Sequence, residues 1–376
     1  MKEKRLKNTD WLVLIISIAL LIIGLVSLYS ATQTSESGEF KKQIQWFLIS
    51  IPFIVIVYII DYRLIVKFSP MLYLILLVLL IGVMFTEPIN GARSWYKIGD
   101  FLSFQPSELG KIFFIMFLAT VLYRLQLKGK KEINKPWKLL IYFVIALIPT
   151  VLIAIQPDYG TAFAYIFAML FMLFVSGLDK KYIIFAILLI VIVAPYVYNN
   201  VLPAHAKTRI EIFLNPESDP RGAGYNLIQS KLAIGAGQFL GMGLLKGNQT
   251  QLGYLSPKTT DFIFSVIGEE MGFVATSSIV VLYIMLITKA VSIGKNAEDN
   301  IGSYISIGIA GVLFFHMVEN IGMTIGLLPI TGVPLPFVSY GGSSLTTNFI
   351  CIGLLLNISS RRKKSLNYNK YNVYGR

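Results

Sequence analysis

The sequence predicts an all-α, polytopic membrane protein with ten transmembrane helices and a long outer loop between spans seven and eight. Three observations predict it. The 376-residue chain is 55 % hydrophobic and 14 % charged, with mean hydropathy +0.68, whereas soluble chains carry about 25 % charged residues. Apolar runs approaching the ~20 residues that a bilayer span requires recur along the chain. No long polar segment could build a second core, so residues 1–376 read as a single membrane domain. The single cysteine, Cys351, excludes an internal disulfide framework, and His205 and His316, the only histidines, sit in no zinc-type spacing.

The ten runs are Trp11–Tyr29, Gln45–Ile60, Met71–Phe85, Leu109–Tyr123, Leu139–Ile155, Thr161–Val175, Tyr182–Val201, Phe262–Thr288, Ile301–Leu328 and Phe337–Ile358. The first follows the basic stretch Lys2–Lys7 but is too long an apolar core for a cleaved leader. Lysine and arginine set the orientation. With a cytoplasmic N terminus, 22 of the 33 basic residues fall in inner segments, including Arg124–Lys138 and the tail 359–376. The net charge of +13 therefore reflects membrane topology and not a nucleic-acid partner, and both termini, 1–10 and 359–376, read as cytoplasmic.

That orientation puts every Gly/Pro-rich polar stretch on the outer side: Gly91–Lys111, Gln156–Thr161, the loop 202–260 and Leu328–Ser344. Spans four, six, eight and ten then start outside, with Pro106, Pro157 and Pro336 near three of the starts. Their N termini offer an anion-friendly rim to an outer cavity. Arg93, Glu108 and Lys111 read either as a snorkelling interfacial group or as a cationic phosphate site, Glu108 orienting Lys111 at i+3. Asp158, in QPDYGT, is a helix cap or a site residue. Lys231–Gly247, glycine-rich and apolar, lacks the ending of a P-loop and reads as partly re-entrant.

Asp261, in TDFIFSVIGEEMG, is the leading catalytic candidate. Charge-free sequence runs from Met271 to Thr288, about 27 Å of helix. Glu269 and Glu270 then mark the outer boundary as structural or cavity-lining groups, and Asp261 lies about 13 Å above them, at headgroup height. The alternative is an aspartate that only caps its helix. Glu319, with His316 at i−3, reads as a buried polar cluster or cavity wall.

At these residues the sequence resembles the SEDS family (shape, elongation, division and sporulation), its RodA branch more than its FtsW branch. The resemblance is carried by GARSW at Gly91, FQPSELGK at Phe104, QPDYGTA at Gln156, GNQTQLG at Gly247, TDFIFSVIGEEMG at Thr260 and NIGMTIGLLPITGVPLPFVSYGGSSL at Asn320. It implies a peptidoglycan glycosyltransferase that polymerises lipid II on the outer face of the bacterial cytoplasmic membrane. Asp261 would be the essential aspartate, and Arg93, Glu108 and Lys111 the polar, substrate-binding cavity residues; Asp158, Arg209 and Ser339 are further substrate-binding candidates of this sequence. It also implies a class B penicillin-binding protein as transpeptidase partner, further membrane proteins of the elongation complex, and a divalent cation, Mg or Mn, as candidate cofactor. A lipid-linked precursor flippase and a non-catalytic scaffold remain alternatives. Where relatives commonly read LPExHTDF, this chain has Leu255–Phe262 as LSPKTTDF, so neither that glutamate nor that histidine has a counterpart.

Overall fold

The computed structural model describes residues 6–33, 38–88, 92–98, 102–200 and 202–362. Residues 1–5 of the N-terminal segment, Gly91, residues 99–101, Val201 and most of the tail, 363–376, lie outside them. Ten helices occupy the ten expected spans: α1 (Leu12–Thr32), α2 (Glu39–Ile59), α4 (Ser69–Val83), α5 (Pro106–Leu125), α6 (Pro136–Ile155), α7 (Tyr159–Ser176), α8 (Lys180–Asn200), α12 (Ile263–Lys295), α13 (Asn300–Thr324) and α14 (Gly342–Ser360). Eight are long and apolar enough to cross a membrane. The others are α4, apolar but of 15 residues, and α5, whose 20 residues include Glu108, Lys111 and Arg124. The connecting helices are α3 (Tyr62–Lys67), α9 (Ala204–Leu214), α10 (Ala223–Ala236) and α11 (Asn248–Gln251). One small departure from all-α is an antiparallel hairpin, β1 (Tyr96–Ile98) with β2 (Leu102–Phe104), in register Lys97 to Ser103.

Apolar side chains are distributed as lipid solvation demands. No residue of α8 is buried although its hydropathy is 2.2, whereas α14, at 1.2, is 78 % buried. An apolar helix thus faces outward while a more polar one fills the centre, which suits a hydrocarbon surround. Helix starts follow local chemistry. Pro106 and Pro136 open α5 and α6, where a missing N–H costs nothing, and Asp299 caps α13 through Gly302 N–H at 2.7 Å.

At one end of the bundle, ion pairs tie the chain together: Arg63 with Glu298 and Asp299, Arg361 with Asp61, and Lys289 with Asp10. These are helix ends that the charge count assigns to the inside.

Two expected helix boundaries shift. The tenth span starts at Gly342, not Phe337, because Phe337 takes φ +67° and Ser339 is clipped to another loop. The eighth is broken at Gly272, whose φ is +72° and ψ −169°. The carbonyls of Glu269 and Glu270 accept from Met242 N–H and Gly243 N–H, and Phe273 and Val274 N–H donate to Gln238 and Phe239. The bonds lost by the helix are thus made with 238–243, the glycine-rich stretch between α10 and α11. A height for Asp261 projected along one straight helix does not hold.

Candidate active site at the N-terminal ends of four helices

A cavity of about 520 Å³ opens at the bundle end opposite the ion pairs. The N termini of α5, α7, α12 and α14 converge on it. Glu108 contributes from the first turn of α5, Asp158 and Thr161 from α7, Asp261 from just before α12, and Ser343 and Ser344 from α14. The expected rim of helix N termini is present, but three of the four carry a carboxylate of the protein itself.

Asp261 sits in the turn preceding α12. Phe262 occupies the cap position, and no side chain caps that helix, so the capping alternative for Asp261 fails. Asn320 of α13 donates to the carbonyls of Asp261, at 3.0 Å, and Val333, at 2.8 Å. Glycine is required at 332: φ is +76°, and a Cβ there would lie 3.3 Å from an Asp261 carboxylate oxygen. Burial raises the Asp261 pKa above the ordinary carboxylate value, partly offset by a hydrogen bond from the Thr260 side chain and by the Arg209 charge. Arg209, from α9, donates to Thr331 O at 3.3 Å and is the one arginine or lysine among the described residues lining the cavity.

Asp158 both caps and lines. Its Oδ1 accepts from Thr161 N–H at 3.1 Å and its Oδ2 from the Gln105 amide at 2.7 Å. Burial raises its pKa, opposed by the hydrogen bonds from Thr161. Glu108 and Lys111 pair at 2.8 Å, as their i,i+3 spacing predicts. Only Glu108 lines the cavity.

Three expectations are corrected. Arg93 is not joined to the Glu108–Lys111 pair. It is exposed, reaches Met84 O at 3.4 Å and lines a separate cavity of about 500 Å³ beyond Pro157, because the hairpin β1–β2 separates GARSW from α5. Ser339 lies behind the cavity wall, where its Oγ accepts from Leu335 N–H at 2.8 Å and donates to Thr260 O at 2.6 Å. Glu319 and His316 do not form one cluster: Glu319 accepts from Thr331 Oγ1 at 2.7 Å, while His316 faces Lys111 at 3.1 Å. Ser339→Ala is expected to lower the thermal midpoint, costing about 1–3 kcal/mol because a buried N–H loses its acceptor; an unchanged midpoint in a melt would show that the clip is dispensable.

Glu269 and Glu270 are buried away from the cavity lining. Glu269 accepts from Gln249 and Thr250 N–H and from the Thr250 hydroxyl; Glu270 accepts from Ser30 Oγ and Gln251 Nε2. They fasten the loop of α11 to α12. Glu39, at the first residue of α2, also lines the cavity. Its sequence signal is a glutamate opening an outward-starting segment after Gly38. Among the described residues no three His, Cys, Asp or Glu side chains gather to hold a metal ion.

Fold and site together define a multi-pass helical membrane protein with an acidic cavity set into one end of its bundle. The family model of the FtsW, RodA and SpoVE cell cycle proteins matches residues 10–364, and the chain belongs to that family. It is 36 % identical to the peptidoglycan glycosyltransferase MrdB of Escherichia coli (strain K12), over 95 % of each chain. It is 37 % identical to a probable peptidoglycan glycosyltransferase FtsW of Trichlorobacter lovleyi, over 96 % of each. Among solved structures, a chain of a peptidoglycan synthase complex that coordinates polymerization and crosslinking superposes with TM-score 0.81. The two are 27 % identical, covering 95 % of this chain and 99 % of that one.

Proposed function

We propose that the chain is a peptidoglycan glycosyltransferase that polymerises lipid II at the outer face of the cytoplasmic membrane, with Asp261 as general base. The observation that carries this reading is Asp261 itself: a carboxylate at the wall of the large cavity, its pKa raised by burial and Arg209 close by. A raised pKa makes a carboxylate a stronger base. Asp261 takes the proton of the acceptor 4-hydroxyl as that oxygen attacks the anomeric carbon of the donor. The bond from that carbon to the undecaprenyl pyrophosphate breaks, and the configuration inverts. No second carboxylic acid is needed, since pyrophosphate leaves as an anion. Arg209 supplies positive charge on the same wall. A divalent cation enters this reading only as a companion of the substrate phosphates, the usual habit of Mg²⁺.

The positive-inside rule supports the membrane orientation, since the end rich in lysine and arginine is remote from the cavity. The apolar tips Phe239, Leu240, Leu244 and Leu245 are exposed and suit an interfacial or re-entrant position. The likeness to a synthase complex supports a transpeptidase partner of class B penicillin-binding type, among the proteins of the elongation complex.

The test uses purified protein in lipid II liposomes. Glycan polymer supports the reading; lipid II crossing the bilayer without elongation would make the protein a flippase instead. The pH profile adds a second check. The ionised base is the active form, so activity is lost as pH falls through the Asp261 pKa, and burial places that limb above the ordinary aspartate range. Arg209→Met removes a charge that favours ionisation, so the acid limb moves further up. A profile superimposable on wild type would exclude Arg209 as the counter-charge.

A further inference from the structure

Glu108, Lys111 and His316 form a buried chain whose polarity is the reverse of a phosphate site. Lys111 Nζ is 2.8 Å from Glu108 Oε1 and 3.1 Å from His316 Nε2. His316 Nδ1 is 3.0 Å from Pro334 O. An ammonium has only donors and a carbonyl only acceptors. The imidazole must therefore accept at Nε2 and donate at Nδ1, which assigns it one neutral tautomer. The lysine thus gives its protons to groups inside the protein, and it does not line the cavity. Glu108 does. Its Oε2 is buried and has no hydrogen-bond partner, although Ser344 stands close to the same carboxylate. The pair therefore meets the cavity through the Glu108 carboxylate, not through a cation.

The rest of the lining agrees. Among the described lining residues Glu39, Glu108, Asp158 and Asp261 stand against Arg209 alone. The positive ends of α5, α7 and α12 already face the protein's own carboxylates. Such a wall disfavours a polyanion and suits hydroxyl and amide N–H donors.

We infer that the cavity beside Asp261 binds the phosphate-free, N-acetylated sugar portion of the substrate, with Glu108 Oε2 accepting from a sugar hydroxyl or amide. Lys111, through Glu108 Oε1, and His316 behind it are positioning residues that fix that carboxylate. This rests on the glycosyltransferase reading and names the part of the substrate this site holds. Pro334, whose carbonyl accepts the hydrogen bond from His316 Nδ1–H, belongs to the same cavity wall as Thr331 and Gly332. His316 thus fixes the Glu108 end of the site relative to the wall that Asp261 faces.

The experiment measures direct binding to the purified full chain with two probes, the phosphate-free N-acetylglucosaminyl–N-acetylmuramyl disaccharide and inorganic pyrophosphate. In Glu108→Gln, the single amide oxygen goes to Lys111 and an NH2 faces the cavity. Disaccharide affinity is expected to fall at least tenfold, with pyrophosphate affinity unchanged within twofold. His316→Leu should fall in the same direction. His316→Gln, which can still accept from Lys111 and donate to Pro334 O, should stay within threefold of wild type. Should Glu108→Gln fail to fold, as a melt would show, the two His316 variants carry the comparison. A purely structural role for His316 would lower the melting midpoint without separating the two probes. The inference is overturned if pyrophosphate affinity falls instead, if Glu108→Gln binds the disaccharide like wild type, or if wild type binds no disaccharide. Absence of polymer from wild type would remove the glycosyltransferase reading while leaving these binding values standing.

Discussion

Asp261→Asn is expected to abolish glycan polymerisation while leaving the protein as stable as wild type, or more so. General-base catalysis contributes about 10²–10⁴ in rate, and two of the other carboxylates lining the cavity are already engaged. Glu108 is paired with Lys111, and Asp158 is held by Thr161 and Gln105. The stability half follows from the sign of the shift. A carboxylate whose pKa is raised by folding favours the fold while protonated, and that contribution is lost as pH rises through the folded pKa. At neutral pH the ionised Asp261 is therefore held at a cost that the neutral amide removes. Lipid II polymerisation on gels and a thermal melt near neutral pH check the two halves. Polymer at wild-type rates would end the role of Asp261 as base; loss of activity together with a collapsed melt would make its role structural.

The spans were legible because lipid imposes a length and an apolar surface on each of them, and local composition records both. The catalytic candidate was legible because a lone carboxylate before an apolar helix has few structural reasons to exist. What failed to show were features set by contacts across the chain. The direction in which Lys111 spends its charge depends on His316, 205 positions away. Arg93 and Glu108 lie in one stretch of sequence, yet the intervening hairpin sends them to different cavities. Ser339 carries a motif's chemistry but uses it to clip Thr260 and Leu335 together, which no spacing along FVSYGG could reveal. The helix N termini were correctly placed around the cavity, but their consequence changed: with carboxylates at three of them, the dipoles stabilise the protein's own anions.

Gly272→Ala is expected to cause the largest loss of stability of any single methyl addition considered. The added Cβ would lie 2.3 Å from Gly241 N, 2.6 Å from Leu240 C and 2.7 Å from Phe239 O. All three are backbone atoms that no rotamer change can move aside. The backbone at φ +72°, ψ −169°, a region all but reserved to glycine, adds about 1–3 kcal/mol for a residue with a side chain, and overpacking adds about 1–3 kcal/mol. If the chain relieved the clash by closing α12 into a continuous helix, Phe273 and Val274 N–H would return to Glu269 and Glu270. Met242 and Gly243 N–H, and the carbonyls of Gln238 and Phe239, would then lose their partners. The loop would come away from α12, and with it Glu269 and Glu270 would lose the groups they hold. Because the limb Ile263–Met271 carries Asp261 at its N-terminal end, activity should fall with stability. Gly235→Ala is the matched control, in helix α10 with nothing within 4 Å of its Cβ, and is expected to be neutral or stabilising by up to about 1 kcal/mol. The comparison needs only melting midpoints in detergent and polymer yield. Equal midpoints for the two variants would mean that the break at Gly272 does not hold the site together.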